Sequence, residues 1–170
     1  MIITGIGARD TPLETLNVIK RISKTFYKNG WLLRSGGAIG CDGAFESQFI
    51  SNKEIFLPWD NFNGRNIDNK EYFLYTNETT KIIKDIHPKW NQLGYRAKCF
   101  HKRNVHQVLG LDLKTPSNIL VCYTKGGQIK GGTATAIKLA KKHNIPVYNL
   151  YHDLEDKLTK LAQLGDIDIL

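Results

Sequence analysis

Residues 32–50 read LLRSGGAIGCDGAFESQFI: an apolar run ends in Arg34-Ser35, crosses Gly36, Gly37 and Gly40, and opens into helical text carrying Asp42 and Glu46. A strand that turns through glycines into a helix is the repeating unit of α/β architecture. Working outward, short apolar, β-branched or aromatic runs bounded by Gly, Pro, Asn or Ser recur at 2–4, 31–34, 53–57, 118–123 and 145–150, and these predict five strands. Helical text lies between them. Thr11-Pro12-Leu13-Glu14 has the form of a capping box with Pro at the first helical position, and Leu13, Leu16, Ile19, Ile22 and Phe26 repeat at helical spacing until Asn29-Gly30. Further helices are expected over about 40–51, 95–111, 132–143 and 154–164. The alternation predicts an α/β, three-layer fold with a mainly parallel sheet of about five strands, and a ligand site outside the carboxyl ends of strands one, two and four.

The chain has 170 residues, 41% of them hydrophobic, which is enough for one domain, 1–170, with a core of its own. Residues 58–95 break the rhythm: Trp59, Phe62, Tyr72, Phe73, Tyr75, Trp90 and Tyr95 stand among Asn, Lys and Gly, with a weak helical pattern near 77–86. This segment reads as an aromatic-rich insertion that forms a lid, an oligomer surface or both. No run of about 18 apolar residues and no basic-then-apolar leader is present, so a soluble protein without a membrane partner is expected. Cys41, Cys99 and Cys122 are odd in number and widely spaced, which argues against a disulfide framework and for the cytoplasm.

The 24 Lys+Arg outnumber the 16 Asp+Glu by eight. Five of the acids and two of the lysines fall after residue 152, so the body carries 22 basic and 11 acidic side chains. A field of that sign concentrates phosphorylated ligands or nucleic acid.

Three glycine-rich loops bear on chemistry. Gly5 and Gly7, in TGIGARDTP, lead into a helix start, with Arg9 as a candidate phosphate contact. The sixth position of this Gly5–Asp10 stretch is Asp, and strand two ends in Arg34-Ser35 rather than an acid, so the dinucleotide fingerprint is absent and no NAD is expected. Ser35, Gly36, Gly37 and Gly40 form a candidate phosphate or sugar cradle, with Asp42 and Glu46 one helical turn apart as caps, sugar ligands or catalytic acids. Gly131-Gly132-Thr133 opens the fourth helix as a second anion site, without the Lys-Ser/Thr ending of a P-loop. Arg103 and Asn104 add charge and an amide from KCFHKRNVHQVLG. His101 and His106 in that stretch lie about 140° apart on a helix, so no metal is expected. No nucleophile elbow occurs.

Together SGGAIGCDGAFE, RNVHQVLG and GGTATAIKLAKKHNIPVYNL, in this order after a strand ending in Gly-x-Gly, resemble the SLOG superfamily over most of residues 1–150. The resemblance is nearest to small stand-alone proteins of the DNA-processing protein A (DprA) group, of the kind common in phage genomes, and more distant to the Lonely Guy phosphoribohydrolases. It implies a Rossmann-like sheet that binds nucleotides or nucleic acid. Lonely Guy enzymes continue their glycine turn with two glutamates, where this chain has Thr135 and Ala136, so the acid that assists N-glycosidic cleavage is missing.

The expected function is therefore capture of a phosphorylated nucleotide or nucleotide-derived signal by Gly5, Gly7, Arg9, Arg34, Ser35, Gly36, Gly37, Asp42, Arg103, Asn104, Gly131, Gly132 and Thr133. No cofactor or metal is expected. Two alternatives stand beside it: single-stranded DNA binding, and N-glycosidic hydrolysis with Asp42 or Glu46 as the acid. The aromatic insertion adds the expectation of a homo-oligomer.

Overall fold

A computed structural model describes residues 1–152 and 154–165. Its elements, in chain order, are β1 (Ile2–Gly7), α1 (Leu13–Lys28), β2 (Leu32–Ser35), α2 (Cys41–Glu46), β3 (Lys53–Leu57), β4 (Tyr72–Leu74), α3 (Thr79–Ile86), α4 (Tyr95–Leu109), β5 (Ile119–Tyr123), α5 (Gly131–Lys142), β6 (Val147–Asn149) and α6 (Leu154–Gly165). The strands form one sheet in the order β4-β3-β2-β1-β5-β6, and every neighbouring pair is parallel. The order runs outward from β1 in both directions, which makes the β1/β5 boundary the switch point.

The sheet has six strands rather than five. The additional one is β4, three residues inside the aromatic insertion, paired with β3 by Ile55–Tyr72, Phe56–Phe73 and Leu57–Leu74. Three residues are too few to show a period of two, so the segment reads only as aromatic text. The helix expected over 40–51 stops at Glu46. The capping box at Thr11 does not form either: Thr11 donates its hydroxyl to the Ala8 carbonyl at 2.7 Å, and the helix begins at Leu13 behind Pro12. The expected C-terminal segment is helical over Leu154–Gly165, and the rest of it lies outside the described residues.

Side chains alternate across the sheet as strand geometry demands. On β5, Ile119, Val121 and Tyr123 join the layer of α1, α2 and α6, while Leu120 and Cys122 join that of α3, α4 and α5. Burial on both faces explains why β5 reads as an unbroken apolar run, ILVCY. The α4 layer carries a buried polar seam. Thr4 donates to the Gln107 carbonyl at 2.6 Å, and His106 accepts from the Thr76 N–H at 2.9 Å while its Nδ1 faces the Gly110 carbonyl. That pattern places the His106 proton on Nδ1.

Gly5 belongs to this packing. A Cβ there would stand 2.4 Å from the Phe45 ring, and its carbonyl accepts the Ser35 hydroxyl at 2.7 Å. Gly5→Ala is expected to cost about 1–3 kcal/mol of fold stability, the usual range for overpacking a core, read by urea denaturation.

Candidate functional site

A crevice of about 960 Å³ opens beyond the carboxyl ends of β1 and β5. Its walls are the loop after β1, the start of α2, one face of α4, and the loop from β5 into α5. Right-handed crossovers send α1 and α5 to opposite faces from adjacent strands, so nothing in the sheet closes the space between their loops.

Of the residues singled out in the sequence, Gly7, Arg9, Asp42, Arg103, Asn104, Gly131, Gly132 and Thr133 line this crevice. The others lie elsewhere. Ser35 is buried with its hydroxyl on Gly5, and Gly36 holds a close approach, since a Cβ there would overlap the Arg103 guanidinium. Gly37 packs against Arg65 of the insertion. Arg34 turns away to Glu54 at 2.7 Å and to the Thr115 carbonyl, and it lines a separate hollow with Met1 and Asp112. Glu46 grips Arg65 through both carboxylate oxygens, at 2.7–3.1 Å, and so clasps the insertion to α2. The Ser-Gly-Gly turn therefore acts as packing. It makes room for Arg103 instead of lining the crevice as a cradle.

Asp42 is 1% exposed, accepting from the Gly7 N–H at 3.0 Å and facing Arg103 Nη1 at 3.3 Å. Burial pushes its carboxyl above the usual range, against the opposing pull of Arg103 and of the Gly7 N–H. Arg103 lies with its guanidinium carbon 5.3 Å from the Phe100 ring centre and 5.9 Å from that of Phe62. Asn104 donates to the Gly132 carbonyl at 2.8 Å and accepts from Gln107, so it fixes the turn into α5.

At the mouth, Lys125 meets Asp10 at 2.7 Å and ties the two loops together, an exposed pair of small energetic weight. Arg9 and Lys130 have no carboxylate partner among the described residues, and Arg9 rests 5.1 Å above the Phe100 ring. Helix α5 has no side-chain cap, which leaves its first-turn N–H groups beside the crevice. The sequence reading missed Lys125, Lys130, Leu93, Ala97, Phe100 and His101, all lining residues. Positions 97, 100, 101 and 104 share one helical face, a periodicity present in the sequence but not tied to the loops by anything local.

Thr135 and Ala136, which stand where Lonely Guy enzymes place acids, are both buried. Thr135 Oγ lies 2.6 Å from His101 Nδ1. Among the described residues the carboxylates lining the crevice are Asp10 and Asp42, each paired with a cation.

Because Arg103 and Asp42 are both buried, Arg103→Met is expected to cost about 3–5 kcal/mol of stability by leaving a carboxylate unpaired. The double variant with Asp42→Asn should recover part of that loss. Urea denaturation of the three proteins measures it, with additive losses as the contrary outcome.

No family model matches the chain, and no curated protein matches it. Among solved structures, DNA processing protein A from Helicobacter pylori, described with a single-stranded DNA binding mode, is similar over 98% of this chain and 79% of its own, at 16% identity and a TM-score of 0.60. The Moco carrier protein of Chlamydomonas rheinhardtii matches over 86% and 72%, at 21% identity and a TM-score of 0.48. The chain thus shares the Rossmann-like α/β fold of DNA processing protein A.

Proposed function

We propose that the crevice binds a small phosphorylated nucleotide or nucleotide-derived signal. The observation that supports this most is the pair of cations without a carboxylate partner among the described residues, Arg9 and Lys130, beside the first turn of α5 in one crevice. Asp42 and Asp10 already neutralise Arg103 and Lys125, so about two positive charges remain for the ligand. A phosphate monoester carries about −1.5 to −2 at neutral pH, which matches. The volume of about 960 Å³ lies at the upper end for small-molecule sites and leaves room for a base, a sugar and more than one phosphate.

Single-stranded DNA is the second reading, favoured by the likeness to DNA processing protein A and by cations set over rings beside the crevice. Arg96 stands 6.0 Å from the Trp59 ring, Lys98 5.7 Å from Trp90 and Lys102 5.1 Å from Tyr75. Stacking platforms need open ring faces, however, and Trp90 is only 6% exposed. The glycosidase reading has less support, because Glu46 lies outside the crevice and Asp42 is committed to Gly7 and Arg103. Free base released from nucleoside monophosphates would restore it.

Calorimetry with nucleoside mono- and diphosphates is expected to show binding that Arg9→Ala and Lys130→Ala each weaken by about 1–2 kcal/mol, the low side of charge-assisted hydrogen bonds because both side chains are exposed. Oligonucleotide binding that falls steeply between about 50 and about 200 mM salt, with no nucleotide signal, would establish the DNA reading instead.

A further inference from the structure

The crevice is chemically divided. Charge gathers at Arg9, Lys125, Lys130 and the α5 terminus, whereas the α4 wall presents Ala97 and Phe100, with Leu93 just ahead of the helix and His101 beside them. Apart from Arg103, which Asp42 neutralises, and Arg9, which rests over Phe100, that wall offers a phosphate no cation among the described residues. A flat, largely apolar ring with a polar edge finds a partner there.

His101 is a polar group of this wall beside Asn104, whose amide is engaged by the Gly132 carbonyl and Gln107. It is 6% exposed, its Nδ1 lies 2.6 Å from Thr135 Oγ, and its Nε2 has no hydrogen-bond partner among the described residues. Burial, with His87 close by, holds the imidazole down to about 4, so it is neutral at physiological pH. A neutral imidazole has one donor and one acceptor, and Thr135 decides which of the two Nε2 is. The Thr135 hydroxyl has no other hydrogen bond among the described residues, so the arrangement that lets it donate has Oγ–H donating to Nδ1. The ring proton then sits on Nε2.

We propose that the α4 wall is the nucleobase subsite, and that His101, set by Thr135 as an Nε2–H donor, selects bases with an oxo group over bases with an amino group at the same edge position. Guanine, hypoxanthine and uracil present an acceptor there, whereas adenine and cytosine present a donor that would face the imidazole N–H. The inference rests on the nucleotide reading above and adds the identity of the base class to it.

The test compares inosine and adenosine 5′-monophosphates, which differ at that position as oxo against amino, by calorimetry, with inorganic pyrophosphate as the base-free probe. Inosine monophosphate is expected to bind about tenfold more tightly than AMP, the size of one net hydrogen bond. His101→Gln offers both a donor and an acceptor, so the preference should shrink to within about twofold while pyrophosphate affinity stays unchanged. Thr135→Val, nearly isosteric, should also reduce the preference by releasing the tautomer, with circular dichroism confirming the fold of both variants. Tighter AMP binding, or a preference that survives His101→Gln, overturns the proposal. Pyrophosphate binding as tightly as inosine monophosphate overturns it too, and leaves the anion site standing. Failure of all three probes to bind removes the nucleotide reading and the base subsite with it.

Discussion

The arrangement turns on one buried carboxylate. Asp42 sits at the first turn of α2, accepts the Gly7 N–H from the end of β1, and faces Arg103 from the middle of α4. Three segments far apart in sequence are thereby held to one point. A carboxylate so enclosed is costly unless its oxygens are matched, so the β1 loop and α4 cannot shift independently without exposing the mismatch. The crevice inherits its shape from that constraint.

Around this point the polar groups of α4 divide into two tasks. Arg103, Asn104, His106 and Gln107 face inward and hydrogen-bond or ion-pair with the sheet loops, the insertion and the α5 turn. Arg96, Lys98 and Lys102 lie over aromatic rings of the insertion, where their charges stay close to solvent. The net positive charge of the chain is thus not a uniform coat. Part of it is structural, part lies over rings, part is spread over exposed lysines such as Lys20, Lys24 and Lys141, and Arg9 and Lys130 stand at the crevice without a carboxylate partner among the described residues.

The insertion is bound to the rest by similar means. Arg65 lies between both oxygens of Glu46, and Phe62 meets Phe100 and Trp59 edge-on at 5.7 and 5.3 Å. Its aromatics therefore build a wall behind α4, and β4 extends the sheet by one strand. Aromatic density in the sequence marked the segment as unusual, and packing gave it a use.

The layered α/β architecture was legible in the sequence because it rests on local signals: periods of 2 and 3.6, and glycines between strand and helix. The place of the crevice was legible for a related reason, since chain chirality obliges the loops after β1 and β5 to face one another once the sheet is parallel. Residue roles were not legible. Arg34 and Arg103 both read as arginines for a phosphate, yet one pairs with Glu54 away from the crevice and the other with Asp42 at its floor. Gly36 and Gly131 both stand in double-glycine turns, but the first accommodates a buried guanidinium and the second borders open space. His101 stood out in one dimension only as a rejected metal ligand, because its hydrogen-bond partner, Thr135, is 34 residues away. Periodicity is written into the chain locally, whereas the partner of a buried charge is decided only when distant segments meet in a medium that cannot solvate it.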